Sequence, residues 1–409
     1  MMNRNPSTAL RAFCLINAVT ALSTYAQIDP DPRQILHLGY NAPLNGNGPA
    51  GAYAFYYWNM PNLPATNVFL RLAIAPTYVD SEVGFKGLFG PNTDLGVGAF
   101  GGAFANNYDD ISEGTFNKEQ SFEGISGGTS VSIYQLLNPE GRIPLSAILR
   151  ESVTYNSWDK TSMTANTFDL PDDQAVFTTR AGLRWGGKEP VLWPTLAMEL
   201  SAWYELDKRT DSGAYGFAGD RRLESTPQRV LARALLNLTT LESKQYVQIN
   251  LVGGAAFDSD RLSCFRLGGM LPYTKEFPLR LPGYYYQEIS AQDFGLLFAN
   301  YAVPFGPEES LYAIASAGAA VVKYEEGMGQ PGAFNSGIGG GLGYSAPSRR
   351  WKLISQFGYG FEAERSHGRG GMTLGFAFQY NFGPTQMASD NAYEEWQKAS
   401  EQKSSPVSR

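Results

Sequence analysis

The sequence predicts an all-β chain that closes into an antiparallel transmembrane β-barrel, with sixteen strands as the favoured number. Three observations support this fold. The 409 residues include 24 Phe, 23 Tyr, 7 Trp and 45 Gly but only 17% charged residues, unlike an average globular protein. Apolar residues alternate with polar or small ones over segments of about ten residues, as in membrane-spanning strands. No stretch after the N-terminal segment is long and apolar enough for a spanning helix, so only a closed barrel would satisfy the backbone in lipid.

The first 26 residues predict a cleaved secretory signal. Arg4 and Arg11 precede an apolar run at 12–22, and Ala26 is a small residue at the expected cleavage site. The apolar run is too short for a membrane anchor, which needs about 20 apolar residues. We therefore expect export, a barrel at 27–383, and a polar periplasmic tail at 384–409, disordered by default or with a short helix.

Charge and reactive residues exclude several classes of function. The net charge is −7 and no basic run is present, so nucleic acid is not an expected partner. Removal of the signal leaves Cys264 alone, and a buried or lipid-facing residue is favoured there over a reactive thiol. Only His37 and His367 are present, so we expect no enzyme, metal or cofactor. Ser366 beside His367 leaves an outer-membrane phospholipase or acyltransferase as an alternative.

The alternation is clearest near the C-terminus. Within 371–382, Leu374 and Phe376 fall on one face, and Thr373 and Gln379 fall on the other. A secreted β-sandwich would also alternate and stays open as an alternative. Aromatic residues near the strand ends, and strands that recur without helices between them, favour lipid.

Sixteen segments fit this pattern, and an even number is usual in single-chain bacterial barrels. They are 35–40, 51–58, 68–79, 94–105, 121–136, 143–156, 174–185, 195–206, 228–239, 246–257, 262–270, 291–305, 311–323, 335–345, 351–361 and 371–382. Barrels keep short turns on one side and long loops on the other. This assignment places the polar stretches 106–120, 157–173 and 207–227 opposite to 271–290. Omitting the first and eleventh segments removes the conflict and leaves fourteen strands as the alternative.

One segment departs from the strand pattern: FRLGGMLPYTKEFPLRLPGYYYQEIS, residues 265–290. Gly268, Gly269 and Gly283 allow a positive φ and close backbone approach, and Pro282 stiffens the path. Tyr284 has an amphipathic ring that suits a wet lumen. We expect 271–290 to enter the barrel and narrow it, whereas a loop on the outer surface is the alternative.

This arrangement resembles the bacterial surface antigen family, the barrels of outer-membrane assembly and two-partner secretion proteins. FRLGG (265–269) is similar to a family strand end, and LPGYYYQE (281–288) is similar to the tip of the family's inward loop. Segments 314–322, 337–347 and 351–361 look like the closing strands. The resemblance covers about 265–382 and implies a Gram-negative outer-membrane barrel, inserted by the barrel assembly machinery.

Two departures from the family are visible. The resemblance places the family's loop arginine on Pro282 and its acidic strand partner on Ser316, so both members of the expected ion pair are missing; Arg280 is the candidate substitute. Only 27–34 precede the first strand, too few residues for a folded domain, so periplasmic POTRA repeats are expected to be absent. The resemblance therefore does not imply that this chain inserts or secretes proteins as the family does.

Charged side chains fall on the non-lipid face of the clearest strands. An arginine facing lipid at the midplane would cost about 2–4 kcal/mol, so we expect these residues to line the lumen. The candidates are Arg71, Arg150, Arg180, Arg184, Glu199, Glu205, Arg233 and Lys352. Glu199 and Glu205 lie on the strand beside Arg180 and Arg184, which predicts cross-strand pairs. The charges either fill the interior as pairs or form a basic constriction that favours anionic solutes.

These observations predict a porin-like outer-membrane barrel, most simply a passive or gated channel with a charged lumen narrowed by 271–290. Two alternatives stay open. One is an assembly or translocation barrel that works with a separate periplasmic partner. The other is a structural surface protein. Membrane lipid is the partner common to all three.

Overall fold

A computed structural model describes residues 32–383 except 64, 105, 142, 188–189, 241–242 and 274. The predicted signal and tail lie outside the described residues. Sixteen antiparallel strands form the wall. In chain order they are β1 (Arg33–Pro43), β2 (Gly51–Met60), β3 (Val68–Ile74), β4 (Tyr78–Phe85), β5 (Thr93–Gly102), β6 (Phe122–Leu136), β7 (Leu145–Lys160), β8 (Gln174–Gly187), β9 (Leu196–Arg209), β10 (Gln228–Thr239), β11 (Tyr246–Phe257), β12 (Ile289–Phe305), β13 (Leu311–Tyr324), β14 (Phe334–Ser345), β15 (Trp351–Arg365) and β16 (Gly368–Asn381).

The wall is closed. Each strand pairs with the next one, and β16 pairs back to β1 from Ile35↔Asn381 to Pro43↔Thr373. Closure leaves no free sheet edge, as a strand-built wall in lipid requires. None of the helices in the described part of the chain is long and apolar enough to cross a membrane.

The predicted number of strands is confirmed, but two segment assignments were wrong. Segment 68–79 contains β3 and the first residues of β4, separated by a turn at 75–77. Pro76 stands in this turn, where it removes a backbone donor. Segment 262–270 contributes only the short strand Phe265–Leu267, and β11 pairs directly with β12. The fourteen-strand alternative is wrong because the first segment is β1, which closes the barrel.

The corrected order places all the long loops on one side. The loops after β5, β7, β9 and β11 are 103–121, 161–173, 210–227 and 258–288, whereas each turn at the other end has five to eight residues. Short turns face the periplasm in barrels of this kind. The long loops therefore define the outer side, and the conflict between 271–290 and the other loops disappears.

The alternation produces an apolar outer surface. Exposed aliphatic side chains lie at mid-strand, and exposed aromatic side chains lie toward both strand ends. The aliphatic ones include Leu183, Leu200, Leu251, Leu297 and Leu342; the aromatic ones include Tyr155, Phe177, Phe257 and Phe334 on the loop side and Tyr301, Phe305 and Phe382 on the turn side. An apolar band between two aromatic girdles is the lipid-facing surface of an outer-membrane barrel.

Three of the outer loops pack into a cap. Its buried cluster comprises Tyr108, Phe122, Trp158, Phe168, Tyr215 and Leu223. Short strands at Phe168–Asp169, Ala214–Phe217 and Arg221–Arg222 form a small sheet above the wall. The Asp110 carboxylate binds Arg221 at 3.0 Å and Arg261 at 3.1 Å. Arg261 belongs to the loop after β11, so this loop is tied to the cap before it enters the lumen.

Candidate functional site in the barrel lumen

Loop 258–288 crosses the inside of the barrel. Gly268 and Gly269 adopt φ of +129° and +76° and turn the chain inward, conformations that favour glycine. Leu281 and Tyr284 are completely buried. The structure therefore places this loop in the lumen rather than on the outer surface.

The loop tip, residues 282–284, rests on a patch of wall glycines. A side chain at any of them would collide with the tip or crowd it. They are Gly318, Gly337, Gly358, Gly360 and Gly371, on β13 to β16. The Gly283 amide donates a hydrogen bond to Thr373 Oγ1 at 3.2 Å. The glycine-rich closing strands thus provide the space that a backbone needs to approach the wall closely.

A buried ion pair anchors the loop, with its signs reversed relative to the ion pair of the family, whose two members are missing here. Arg365 on the wall contacts Glu288 on the loop through Nη1–Oε1 at 2.8 Å and Nη2–Oε2 at 3.0 Å. Arg365 also donates to the Gly283 carbonyl at 3.2 Å and stacks 3.7 Å from the centre of the Tyr285 ring. Sequence reasoning missed this pair, although Glu288 is the one carboxylate in the loop-tip segment LPGYYYQE.

The positions matched to the family's ion pair lie close together without charge. Pro282 packs on Gly318, which follows Ser316 by two positions on the same face of β13. Arg280 does not replace the missing arginine. Its guanidinium donates to Gln248 Oε1 and lies 4.0 Å from the centre of the Phe298 ring. It pairs with no carboxylate in the described part of the chain.

A second contact holds the middle of the loop against β8 to β10. Arg180 binds Glu276 at 2.9 Å, and Arg184 also binds this carboxylate. Arg233 donates to the Glu276 backbone carbonyl at 3.2 Å. Burial acts to raise the pKa of Glu276, but Arg180, Arg184 and Arg233 outweigh it and hold the pKa below its usual range. The loop therefore spans the lumen between two charged anchors.

The remaining predicted lumen residues are also paired. Glu199 binds Arg233 and lies 3.7 Å from Arg184, and Glu205 binds Arg229 and lies 3.8 Å from Arg180. On the preceding strands, Arg71 lies 3.6 Å from Asp80, and Arg150, opposite Arg180 on the neighbouring strand β7, lies 3.1 Å from Glu82. Asp80 and Glu82 belong to β4, the strand that the sequence interpretation did not separate, so these partners were missed. Paired charges fill the wall wherever the predicted arginines lie.

The turn between β8 and β9 closes the periplasmic end; we call residues 190–194 the inner turn. Lys352 donates to the Leu192 and Trp193 carbonyls at 2.6 and 3.2 Å. Trp193 is buried with its ring 4.7 Å from that of Tyr312. The inner turn thus crosses from β8 to β13 and β15. Sequence reasoning assigned Lys352 to the lumen but did not identify its partner.

Two further residues hold the inner turn from the opposite wall. His37 Nε2 lies 2.6 Å from the Pro190 carbonyl, and the Leu192 amide donates to Gln379 Oε1 at 2.5 Å. Between the inner turn and the loop lies a cavity of about 30 Å³, with room for very few water molecules. The lumen is therefore obstructed at two depths.

Reactive groups are sparse in this site. Cys264 is buried near the base of the loop, and burial raises the pKa of its thiol to about 11. A thiol with this pKa stays protonated and unreactive near neutral pH. No group of three His, Cys, Asp or Glu side chains suited to a metal ion occurs among the described residues.

Solved structures of other proteins share this barrel architecture. CdiB from Acinetobacter baumannii matches with a TM-score of 0.56 at 11% identity, over 86% of this chain and 60% of that chain. BamA from Haemophilus ducreyi lacking POTRA domains 1–3 matches with a TM-score of 0.54 at 11% identity, over 93% and 80%. The chain has the surface-antigen barrel fold.

Other comparisons bear on the extent of this likeness. CdiB from Escherichia coli has a TM-score of 0.50 at 12% identity, over 86% of this chain and 63% of that chain. The chain spans about 60% of the length of the two CdiB chains that it matches. The sequence itself matches no protein-family profile and no curated protein. The surface-antigen barrel is a fold of the bacterial outer membrane, which agrees with the apolar band on the wall.

Proposed function

We propose that this chain is a gated conduit of the outer membrane, closed in the conformation described and opened by movement of loop 258–288. One observation carries the proposal: the loop crosses the lumen and is held by the Glu288–Arg365 pair at one end and by Glu276 in the middle. The inner turn adds a second obstruction on the periplasmic side.

The same contacts give the conduit an ion preference. When the loop leaves, Glu276 moves away from Arg180 and Arg184, and the wall between β8 and β10 loses one negative charge. The exposed arginines then favour anions, because charged rings in a pore select ions of the opposite sign. In the closed state, the Glu276 carboxylate of the loop neutralises arginines of this wall. In the open state, the wall between β8 and β10 is basic.

Recording from planar lipid bilayers tests this proposal. The wild-type barrel should be mostly closed, and replacement of 275–286 by a short Gly-Ser segment should produce steady ohmic openings that favour anions. Addition of Arg180→Glu and Arg184→Glu in that background should shift the preference to cations. The matched control replaces 211–219 in the cap and should leave the barrel closed. A folded loop-replaced barrel that conducts nothing would overturn the proposal.

A second candidate is a barrel that assembles or translocates proteins with a separate periplasmic partner. The fold likeness to CdiB and BamA favours it. Tagged protein purified from cross-linked outer membranes would then bring down periplasmic proteins and stay silent in bilayers. A silent barrel without partners would instead indicate a structural surface protein.

A further inference from the structure

The small cavity between loop 258–288 and the inner turn is enclosed by residues of the loop, the inner turn and the wall. Its volume is about 30 Å³, and one water molecule needs about 10–15 Å³. The cavity therefore has room for about two water molecules or for one ion of comparable size. A phosphate or sulfate group does not fit in this space.

Arg280 brings a buried positive charge to this cavity. The residue is 7% exposed and belongs to the cavity lining. Its guanidinium donates a hydrogen bond to Gln248 Oε1, and Gln248 also lines the cavity. The Arg280 Nε has no hydrogen-bond partner among the described residues. The guanidinium therefore lies at the cavity with part of its donor capacity unused.

No carboxylate of the described residues compensates the charge of Arg280. The titratable groups that act on it are the phenols of Tyr53, Tyr246 and Tyr273, and phenols are neutral near pH 7. Its remaining contact is the Phe298 ring, whose centre lies 4.0 Å from the guanidinium carbon. A buried charge without a counter-ion is costly. The surroundings of the cavity therefore lack one negative charge.

Neutral donors around the same cavity are also unsatisfied. Gln356 on β15 and Trp193 in the inner turn line the cavity, and each is 7% exposed. Gln356 Nε2 and Trp193 Nε1 have no hydrogen-bond partner among the described residues. Asn300 on β12 adds a buried amide to the lining, with its Oδ1 likewise unpartnered, and rotation of this amide can present its N–H groups instead. The loop, the inner turn and the wall thus each bring a donor to one small space.

We infer that this cavity binds one small monovalent anion of halide size, such as chloride. Arg280 supplies the positive charge, and the N–H groups of Gln356 and Trp193 complete the set of donors. Hydrogen bonds between a guanidinium and an anion are about twice as strong as bonds between neutral groups. Two water molecules would satisfy the donors but would leave the charge of Arg280 unbalanced.

A bound anion joins the two obstructions of the lumen. Arg280 belongs to loop 258–288 and Trp193 to the inner turn, so an ion between them stabilises the loop in its position across the lumen. The site goes beyond the proposed conduit, because binding does not require the barrel to conduct.

Scanning calorimetry of the full chain in neutral detergent tests the site. Chloride is the probe, and gluconate, which is too large for the cavity, keeps the ionic strength constant. A ligand that binds only the folded state raises the unfolding temperature. Chloride should therefore raise the midpoint of the wild type by about 2 °C or more relative to gluconate alone.

Arg280→Met should lose this difference between chloride and gluconate. Arg222→Met is the matched control, because Arg222 is exposed in the cap and does not line the cavity. The control should keep the difference. If Arg280→Met does not fold, Gln356→Leu decides in its place. This variant retains the guanidinium and removes an amide donor, so it should reduce the chloride effect by about half or more.

Crystals of the wild type grown in sodium bromide give an independent measurement. Anomalous scattering should locate one bromide ion in the cavity, beside Arg280 and Gln356. The inference is overturned if the cavity holds only water in these crystals. It is also overturned if folded Arg280→Met, or Gln356→Leu in its place, keeps the full stabilisation by chloride.

Discussion

Gly283 at the loop tip combines a positive φ of +83° with direct backbone contact to the wall. A Cβ at this position would collide with the backbone of Tyr359 and Gly360. We expect Gly283→Ala to lower the free energy of unfolding by about 2–4 kcal/mol, from overpacking and an unfavourable φ together. Urea unfolding in lipid vesicles measures this loss.

The control for this prediction is Gly332→Ala. Gly332 has nearly the same φ, +84°, but no atom lies within 4 Å of a Cβ built there. It should lose only the conformational part, about 1–2 kcal/mol. Equal losses at the two positions would show that the tip does not depend on close contact with the wall.

The Glu288–Arg365 pair is the second test at the level of single residues. Both side chains are almost completely buried, at 0% and 3% exposure. Glu288→Gln leaves Arg365 without a counter-charge, which should cost about 3–5 kcal/mol. The exposed pair Lys244–Glu309 is the control, and Glu309→Gln should cost at most about 1 kcal/mol. If Glu288→Gln loses less free energy of unfolding than the control in the same urea titration, Glu288 does not anchor the loop.

The sequence predicted which way most charged residues face but not what they contact. Period-two alternation places Arg150 on the inner face without any knowledge of the fold. Its partner Glu82 is 68 residues away on another strand, and nothing local links the two. Arg365 and Glu288 are separated by 77 residues. Their pairing follows from the path of the loop across the lumen.

At the level of elements, the inner turn supplies its own prediction. Lys352 is buried and satisfies two carbonyls of this turn. We expect Lys352→Met to free the turn and accelerate hydrogen exchange at the Leu192 and Trp193 amides at least tenfold. Mass spectrometry of exchanged peptides measures this rate.

Lys86→Met is the matched control for the inner turn. Lys86 also donates a hydrogen bond to a turn carbonyl, that of Pro61 at 2.8 Å. This contact joins two other periplasmic turns and does not involve the inner turn. This variant should leave exchange at Leu192 and Trp193 unchanged. If Lys352→Met also leaves it unchanged, the inner turn is held by its apolar contacts rather than by the lysine.

The strands with clear alternation were predictable as elements, and their ends were not. Between β3 and β4 the turn at 75–77 has only three residues, so apolar residues continue through it and the two strands look like one. Segment 262–270 has strand-like composition, but its double glycine turns the chain inward after Leu267. These two errors cancelled in the strand number, but they placed the loops between them, 103–121, 161–173 and 210–227, on the wrong side of the barrel.

For the whole molecule, the test is the lipid-facing band. Leu251 and Leu297 face each other across β11 and β12, exposed at mid-strand. Leu251→Arg should lower the free energy of unfolding from vesicles by about 2–4 kcal/mol, the cost of arginine at the midplane. Met163→Arg, at an equally exposed site in an outer loop, should change it by less than about 0.5 kcal/mol. Similar values for both variants would contradict a membrane-embedded wall.

The sequence by itself determined the period-two wall, its apolar face and a glycine-hinged loop near 265–290, because each depends on the free energy of single side chains against lipid or on local backbone freedom. Only the tertiary structure decided which residues meet inside the cylinder. His37 meets the inner turn across 153 residues, and Glu288 meets Arg365 across the lumen. Such contacts depend on how a closed wall curves and staggers its strands, and no local pattern in the chain encodes that geometry.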